Sequence, residues 1–573
     1  MVFIGDCAPL SFYQSVRQLV TSRVDADAFA GQNSQHAVLE NLRPRQVVGS
    51  IAHPPVVRTA NIPAMIARYI TSTTGLVDLF DNALLTENMT LWAESRRSTD
   101  VASIVNYLVL AIGAHEDEDE PGSAYFEYAK EQAFASLGGD LGIETVQAFI
   151  LITFYMLGAC QINSAFLYFG VAVRAAYAIG VHRTEVNAHF GPQTGKQRDR
   201  LWKSLRILDL FLSTSMGRPP ATSDVDCTVS YRTLDDQGKD VFDMLDASVQ
   251  IMLVVENVVE EIYSRRKISL SITDGISMKL REWSTRWLQQ LKDVTSPKAA
   301  SGNVAVVNGA CQVIATYCYA VMLVSRPFLM YELCRRLSDG VTQAPPNKPA
   351  MISGRLKLAD ACIDAACLMV DTVSDLINRG VITGRMPLLV SWLFASSLVL
   401  GLGLLGGFGR VLEKYARTSI AGLDFFAKSD AHAVQYSVIA KSLLATAVGY
   451  LESREMQERL QRTASSSQLF GLVPREPQHN ADMPSPRPRT SFGASDRSRE
   501  AATRPDDQHQ AFRSLSSAGF AEMDSAAFDL PNSWAQTTDL SFFDGLLDTQ
   551  DSWSTLNLFP FEEGGRIDLA RYF

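Results

Sequence analysis

Apolar residues recur at spacings of three and four from about residue 10 to residue 460, as they do along helices that pack on neighbours. One such stripe consists of Leu201, Leu205, Leu208 and Leu212. The same segment carries Lys203 and Arg206 toward another face, and strand-like alternation bounded by turn residues is scarce throughout. The pattern predicts an all-α fold, with one large helical domain over residues 1–462.

One uncharged run covers residues 386–409 and is long enough to cross a bilayer. Pro387 stands near its start, and several glycines interrupt its second half. A helix that is apolar all round is buried either in a protein core or in a membrane. Because many other apolar helices could cover it, we expect a core helix, with a single membrane anchor as the alternative.

The composition changes sharply after Arg462. Residues 463–519 are rich in Ser, Pro, Arg, Gln and Asp, and Pro alternates with Arg near residues 484–489. Such a segment lacks the apolar area that would offset the entropy cost of ordering. We predict a disordered linker, whose arginines form either a solvated spacer or a nuclear-import patch.

Residues 520–573 alternate acidic side chains with aromatic residues and leucines. This is the composition of disordered activation segments, which fold a short helix into the apolar groove of a partner. The apolar residues that we expect to make this contact are Phe542, Phe543, Leu546, Leu547, Trp553, Phe559 and Phe561. The alternative is a helix over residues 540–547 that docks back on the core.

The overall composition excludes several classes of protein. With 47% hydrophobic residues among 573, the chain can bury a large core and is not mainly disordered. Its net charge of −10 excludes general attraction of the whole chain to phosphate backbones. The eight cysteines include no Cys-x-x-Cys pair, which excludes a disulfide scaffold and a recognisable structural zinc site. The first seven residues lack a secretory pattern, so we expect an intracellular protein.

The search for catalytic patterns yields no candidate. The sequence contains neither a Gly-rich phosphate loop ending in Lys-Ser or Lys-Thr nor a His-Glu-x-x-His zinc helix, and its eight histidines are scattered singly. Cys334, beside Arg335 and Arg336, is the one candidate for a thiol with a lowered pKa, and the alternative is that the basic pair is an exposed helix end. We predict no catalytic, cofactor-binding or metal-binding residue and no enzymatic activity. The alternative is a helical protein that binds or converts a small molecule.

Three segments carry recognisable motifs. Residues 3–12 read FIGDCAPLSF at the start of the chain. Residues 168–229 contain a helix ending AAYAIGVHR, then RLWKSL, then STSMGRP and DVDC. Residues 325–329 read SRPFL at the end of an apolar helical run. Each piece alone is weak, and their combined order and spacing carry the signal.

Together these segments resemble the fungal-specific transcription factor domain, the middle homology region of binuclear zinc cluster regulators. The resemblance covers roughly residues 1–460. It implies an all-helical regulatory domain with a role in inhibition, effector sensing or dimer support rather than in catalysis. It also implies a nuclear regulator of RNA polymerase II genes. Regulators of this family often govern metabolic or secondary-metabolite gene sets.

The residues that match the family motif are expected to have structural or regulatory roles. They are Arg200, Trp202, Asp209, Gly217, Arg218, Pro219, Asp224, Asp226, Arg326 and Pro327. Trp202 would anchor its helix by burying a large ring. Arg218 would form a fork with the carboxylate of Asp224 or Asp226, or would bond to free carbonyls at the helix end.

The chain departs from the family at its N-terminal side. Family members usually carry six cysteines there, which bind two zinc ions and present a helix to DNA. Here Cys7 alone precedes Cys160, so this chain offers no ligands for those ions. Either the sequence starts downstream of a zinc module, or the regulator reaches DNA through a partner. The expected partners are therefore the transcription machinery through residues 520–573, DNA indirectly, a second copy and a small-molecule effector, without a membrane.

Overall fold

The computed structural model describes residues 3–29, 53–95, 101–114, 122–235, 237–297, 303–338, 354–382 and 385–469. Within these ranges the regular structure is helical, and the only β pairing is an isolated bridge between Leu234 and Asp240. The predicted all-α fold is confirmed. Residues 463–469, the predicted start of the disordered linker, are helical. The rest of the predicted linker and the tail, residues 470–573, lie outside the described residues.

Sixteen α-helices account for most of the described residues. In chain order they are α1 Pro9–Arg23, α2 Ile62–Thr73, α3 Asn82–Glu94, α4 Val101–Gly113, α5 Gly122–Ala135, α6 Ile143–Gly158, α7 Ile162–Ala178, α8 Thr184–Ala188, α9 Pro192–Met216, α10 Met244–Val258, α11 Leu270–Thr295, α12 Val304–Ser338, α13 Gly354–Asn378, α14 Pro387–Leu405, α15 Leu412–Phe426 and α16 Ala431–Leu469. Short 3-10 turns occupy Thr59–Asn61 and Ser136–Gly138, and a π-helical turn at Val259–Ser264 extends α10.

Local chemistry explains where several helices begin and end. The carboxylate of Asp243 accepts hydrogen bonds from the first N–H groups of α10, and the Ser269 hydroxyl does the same for α11. Proline stands in the first turn of α1, α9 and α14, where no intrahelical N–H donor is needed. Gly217 ends α9 in the left-handed conformation.

Contacts between residues divide the chain into two units. The described part of the first unit ends at Ser453 and contains α1 to α15 with the proximal part of α16. Its core is centred on α12, which packs against α2, α10, α11, α13 and α14. The described part of the second unit is the distal stretch of α16 from Arg454 to Leu469, where Met456 and Leu460 are exposed.

Among the described residues, two helices are long and apolar enough to span a membrane by length and composition alone, namely Val304–Leu337 and Pro387–Leu405. The most apolar windows of these helices are 89% and 100% buried inside the protein. Helix α14 is the second of them, and it lies within the uncharged run of residues 386–409. Its complete burial is the arrangement that the core-helix interpretation requires.

Candidate functional site

The three motif segments, distant in sequence, meet at one place. The stretch before α1 lies against the last turn of α9, where the Gly5 N–H donates to the Met216 carbonyl at 2.9 Å. The same stretch contacts α12, because the Arg326 guanidinium donates to the Asp6 carbonyl at 3.3 Å. We call this contact the N-terminal junction. Its residues are Gly5, Asp6, Cys7, Gly217, Arg218 and Arg326.

Two glycines let the backbones approach closely at the junction. A Cβ on Gly5 would lie 2.0 Å from the Gly217 carbonyl oxygen, and a Cβ on Gly217 would lie 2.3 Å from the Gly5 Cα. Gly217 also has a φ of +65°, which L side chains rarely adopt. Glycine is therefore required at both positions, for steric reasons that the motif alone does not reveal.

Arg218 joins the end of α9 to two other segments. Its Nε donates to the Phe3 carbonyl at 3.2 Å and its Nη2 to Asn163 Oδ1 at 2.9 Å, while the guanidinium lies 4.7 Å from the centre of the Phe166 ring. The expected fork with Asp224 or Asp226 is wrong. Arg206 and Arg183 bind those two carboxylates instead. The expectation of a bond to a helix-end carbonyl is also wrong, since Phe3 precedes α1.

Arg326 is a buried cation held by aromatic rings and carbonyl groups. Its guanidinium lies 4.6 Å from the centre of the Phe12 ring and 4.9 Å from that of Tyr263. It donates to the carbonyls of Asp6 and Cys7. Burial raises the pKa of the adjacent Cys7 thiol to about 11, so this thiol stays protonated at neutral pH.

Pro327 lies inside α12 and lacks the N–H that would bond to the carbonyl four residues earlier. That carbonyl belongs to Leu323, and the Tyr263 hydroxyl donates to it at 2.8 Å. Tyr263 comes from the π-helical turn after α10. The Arg-Pro pair of the third motif therefore fixes α12 to two neighbours. The Arg326 cation binds the stretch before α1, and the carbonyl that Pro327 leaves free binds the π-helical turn after α10.

Helix α9 carries a row of three cations at spacings of three residues. Arg200 pairs with Asp78 and with Asp243, the latter at 2.6 Å; Lys203 pairs with Asp246 at 2.5 Å. The third cation, Arg206, pairs with Asp224 at 3.1 Å and with Glu256 at 2.6 Å. Burial alone would lower the pKa of Arg200 and of Arg206, but their acidic partners raise both pKa values, so both side chains stay charged. We call Arg200, Lys203 and Arg206 the α9 cation row.

Asp209 closes the loop that follows α9. Its carboxylate accepts hydrogen bonds from the N–H groups of Ala221 and Thr222, at 3.0 and 2.6 Å, and from the Thr222 hydroxyl. Burial raises the pKa of Asp209, and these three donors counteract that rise. The exposed Pro219 lies in the loop that this carboxylate holds.

Trp202 is fully buried, as its anchoring role predicts. Its Nε1 donates to the Tyr231 hydroxyl at 3.1 Å, and that hydroxyl donates to Asp224 at 2.6 Å. Asp226 lies further along the loop, where it pairs with Arg183 and lies 3.6 Å from His182 Nε2. Burial lowers the pKa of His182, so its imidazole is mainly neutral at pH 7.

The motif residues thus form two clusters, and both fasten elements together. Gly217, Arg218 and Arg326 belong to the N-terminal junction, while Arg200, Asp209 and Asp224 belong to the α9 cation row or its loop. Each of these charged side chains has a partner within the described residues. The arrangement fixes α9 to α10 and to the start of the chain, which is a structural role.

Cys334 does not have the expected thiol chemistry. Burial raises its pKa, and the lowered pKa predicted from the adjacent arginines is wrong. The reason is that Arg335 and Arg336 both turn toward the Glu332 carboxylate, at 2.6 and 3.0 Å. The two positive charges therefore pair with the Glu332 carboxylate and do not lower the pKa of the Cys334 thiol.

Sequence reasoning missed one group of potential metal ligands. Cys160, Asp430 and His432 place their ligand atoms within 4.8 Å of one another. Because 270 residues separate Cys160 from Asp430, no local spacing could have pointed to them. The seven apolar residues of the predicted activation segment lie outside the described residues, so that segment stays a prediction.

A family profile matches part of the chain. The profile described as "Fungal specific transcription factor domain" matches residues 70–284, which include the α9 cation row. No solved structure matches the chain.

Curated relatives match part of the chain. An "Uncharacterized transcriptional regulatory protein" of Schizosaccharomyces pombe is 25% identical over 298 residues, or 49% of this chain and 35% of that protein. "Filamentous growth regulator 27" of Candida albicans is 24% identical over 332 residues, or 53% of this chain and 41% of that protein. "Activator of stress genes 1" of Saccharomyces cerevisiae is 23% identical over 234 residues, covering 37% and 24%.

The matches therefore span well under half the length of those relatives. The names of these relatives, which are regulators and an activator, agree with the family profile. The protein contains a fungal specific transcription factor domain over residues 70–284.

Proposed function

We propose that the chain is a nuclear transcription regulator of fungal type, in which the helical body regulates and residues 520–573 activate. The match to the transcription factor domain over residues 70–284 is the observation that carries this proposal. The names of the matching relatives, which are regulators and an activator, support it. The acidic and aromatic residues 520–573 supply the chemistry with which disordered segments bind the transcription machinery.

DNA targeting requires a part that these residues do not supply. The net charge of −10 gives the chain no general affinity for phosphates, and the six-cysteine zinc pattern is absent from its 573 residues. We propose that a zinc module encoded upstream, or a DNA-binding partner, brings the regulator to its genes. Sequencing full-length transcripts tests this, because an upstream exon with the six-cysteine pattern identifies the module and its absence identifies a partner-dependent regulator.

The body is proposed to respond to an effector or to a second copy of the chain. A helical protein that binds or converts a small molecule, without a role at DNA, is the competing function. One enclosed cavity, lined in part by Phe211, Ser215 and Tyr436, has a volume of about 40 Å³. Pockets for drug-sized ligands are roughly 300–1,000 Å³ in volume. That cavity is therefore too small to hold an organic substrate of that size.

The activation proposal is tested with a reporter gene in a fungal host. The full chain is fused to a heterologous DNA-binding domain, and the fusion is compared with one that lacks residues 520–573. A third fusion replaces the seven apolar residues of that segment by alanine, and a matched control deletes the linker residues 470–519, which follow α16. We expect transcription from the full fusion and from the control, and at least a tenfold loss in the other two.

Equal transcription with and without residues 520–573 would contradict the proposed activation segment. No transcription from any fusion, at equal protein levels, would contradict the activator function as a whole.

A further inference from the structure

The turn between α6 and α7 brings a cysteine to the start of α16. Cys160 Sγ lies 3.4 Å from Asp430 Oδ1, and His432 follows in the first turn of that helix. One ligand atom from each side chain lies within 4.8 Å of the other two. Tetrahedral zinc with bonds of about 2.0–2.3 Å separates its ligand atoms by roughly 3.3–3.8 Å. A small rotation of the half-buried His432 side chain would close the remaining gap.

Cys160 occupies a backbone conformation that favours glycine. Its φ is +58°, and its side chain is only 2% exposed. A left-handed residue with a Cβ costs about 1 kcal/mol relative to glycine, so the cysteine is held there against a conformational penalty. The conformation directs a buried sulfur toward a carboxylate and an imidazole, two other common ligands of transition metals.

The cavity of about 40 Å³ adjoins two of these three ligands, since Asp430 and His432 line it together with Ser215. Ser215 is only 9% exposed, and within the described part of the chain its hydroxyl finds no hydrogen-bond partner. A cavity of this size holds at least one water molecule. A water there would complete a four-coordinate ion and would offer the Ser215 hydroxyl a partner.

We propose that Cys160, Asp430 and His432 bind a single transition-metal ion of the Zn²⁺ class, with water as the fourth ligand. Sulfur, nitrogen and carboxylate oxygen together suit zinc and its borderline neighbours rather than Mg²⁺ or Ca²⁺. The thiolate is the ligand, so binding releases the thiol proton to solvent. The ion clamps the α6–α7 turn to the start of α16. This site is separate from any DNA-binding zinc module and does not depend on the proposed function.

The purified full chain, stripped of metal, is titrated with Zn²⁺ against a chromogenic chelator and with Co²⁺ by absorption spectroscopy. We expect one equivalent of Zn²⁺ to bind and to raise the melting temperature, because the ligands are assembled only in the folded protein. Co²⁺ should give a thiolate-to-metal charge-transfer band. The absence of both signals would overturn the proposal.

Two variants remove a ligand while sparing the fold. Asp430→Asn keeps the side-chain oxygen that accepts from the Ala433 N–H at 3.0 Å and caps α16. Cys160→Gly relieves the left-handed conformation. Both should lower metal affinity at least about 100-fold, since loss of even a supporting partner costs about 10–100-fold. Cys227→Ser, at a half-buried thiol beside Tyr231, is the matched control and should bind as the wild type does. Equal binding by all proteins would place the ion on other thiols and overturn the site.

Discussion

At Gly217, one residue meets two separate backbone requirements. Its left-handed φ of +65° ends α9, and its missing side chain lets the stretch before α1 approach. The sequence motif predicts the helix end, because Gly-Arg-Pro-Pro is a typical stop signal. It does not predict the second requirement, since the partner, Gly5, lies more than two hundred positions away.

Replacement of Gly217 by alanine should therefore destabilise the protein by at least about 2 kcal/mol, the sum of a left-handed penalty and a forced separation from Gly5. Urea unfolding followed by circular dichroism measures the change. Gly275→Ala is the control: that glycine is exposed in α11 with open space around it, and alanine should stabilise the helix by about 0.5–1 kcal/mol. Similar stability of the Gly217 variant and the wild type would contradict the close approach.

At the scale of the helix, α9 shows what periodicity reveals and what it omits. The leucine stripe predicts the helix, and Leu201, Leu205, Leu208 and Leu212 are all buried. The stripe also suggests a separate polar face, yet Lys203 and Arg206 are buried as well. Their partners come from α10 and from loops, and hydrophobic spacing along one helix carries no information about those partners.

Helix α12 is joined to the π-helical turn after α10 by the carbonyl that Pro327 leaves free. Tyr263→Phe removes the hydroxyl that bonds to the Leu323 carbonyl and keeps the ring beneath Arg326. We expect a loss of about 1–3 kcal/mol in the free energy of unfolding, because a buried carbonyl loses its donor.

Pro327→Ala supplies the missing helical N–H and serves as the internal control for that prediction. In the Pro327→Ala variant, Tyr263→Phe should lower the free energy of unfolding by less than half as much as in the wild type. The reason is that the Leu323 carbonyl then accepts from the new N–H within the helix. Urea unfolding of the four proteins gives the coupling directly. Equal costs in both backgrounds would mean that the two residues act independently.

At the scale of the whole molecule, the sequence identified three motif segments but not their meeting point. Residues 3–12, the end of α9 and the middle of α12 are each recognisable by composition. Their contact depends on how the helices pack together, and the hydrophobic pattern does not determine that packing. The same limit applies to Cys160 and Asp430, whose pairing arises only once α6 and α16 are in place.

Deletion of residues 1–8 should lower the melting temperature of the protein, because it removes the carbonyls that accept from Arg326. Arg326→Met should lower the free energy of unfolding by at least about 1 kcal/mol less in the deleted chain than in the full chain, since the deletion and the substitution break the same contact. Arg174→Met, at an exposed position of α7, is the control and should cost the same in both chains. An equal loss of stability from Arg326→Met in both chains would contradict the contact at the N-terminal junction.

The N-terminal junction also sets an order of events on the ribosome. The carbonyl of Asp6 bonds to a guanidinium 320 positions later, so the residues around Asp6 must wait for the synthesis of α12 before they can make this contact. At about 5–20 residues per second, that interval lasts roughly 16–64 s. For that time the nascent chain exposes Phe12 and its apolar neighbours, which makes this segment a natural substrate for chaperones that act during translation.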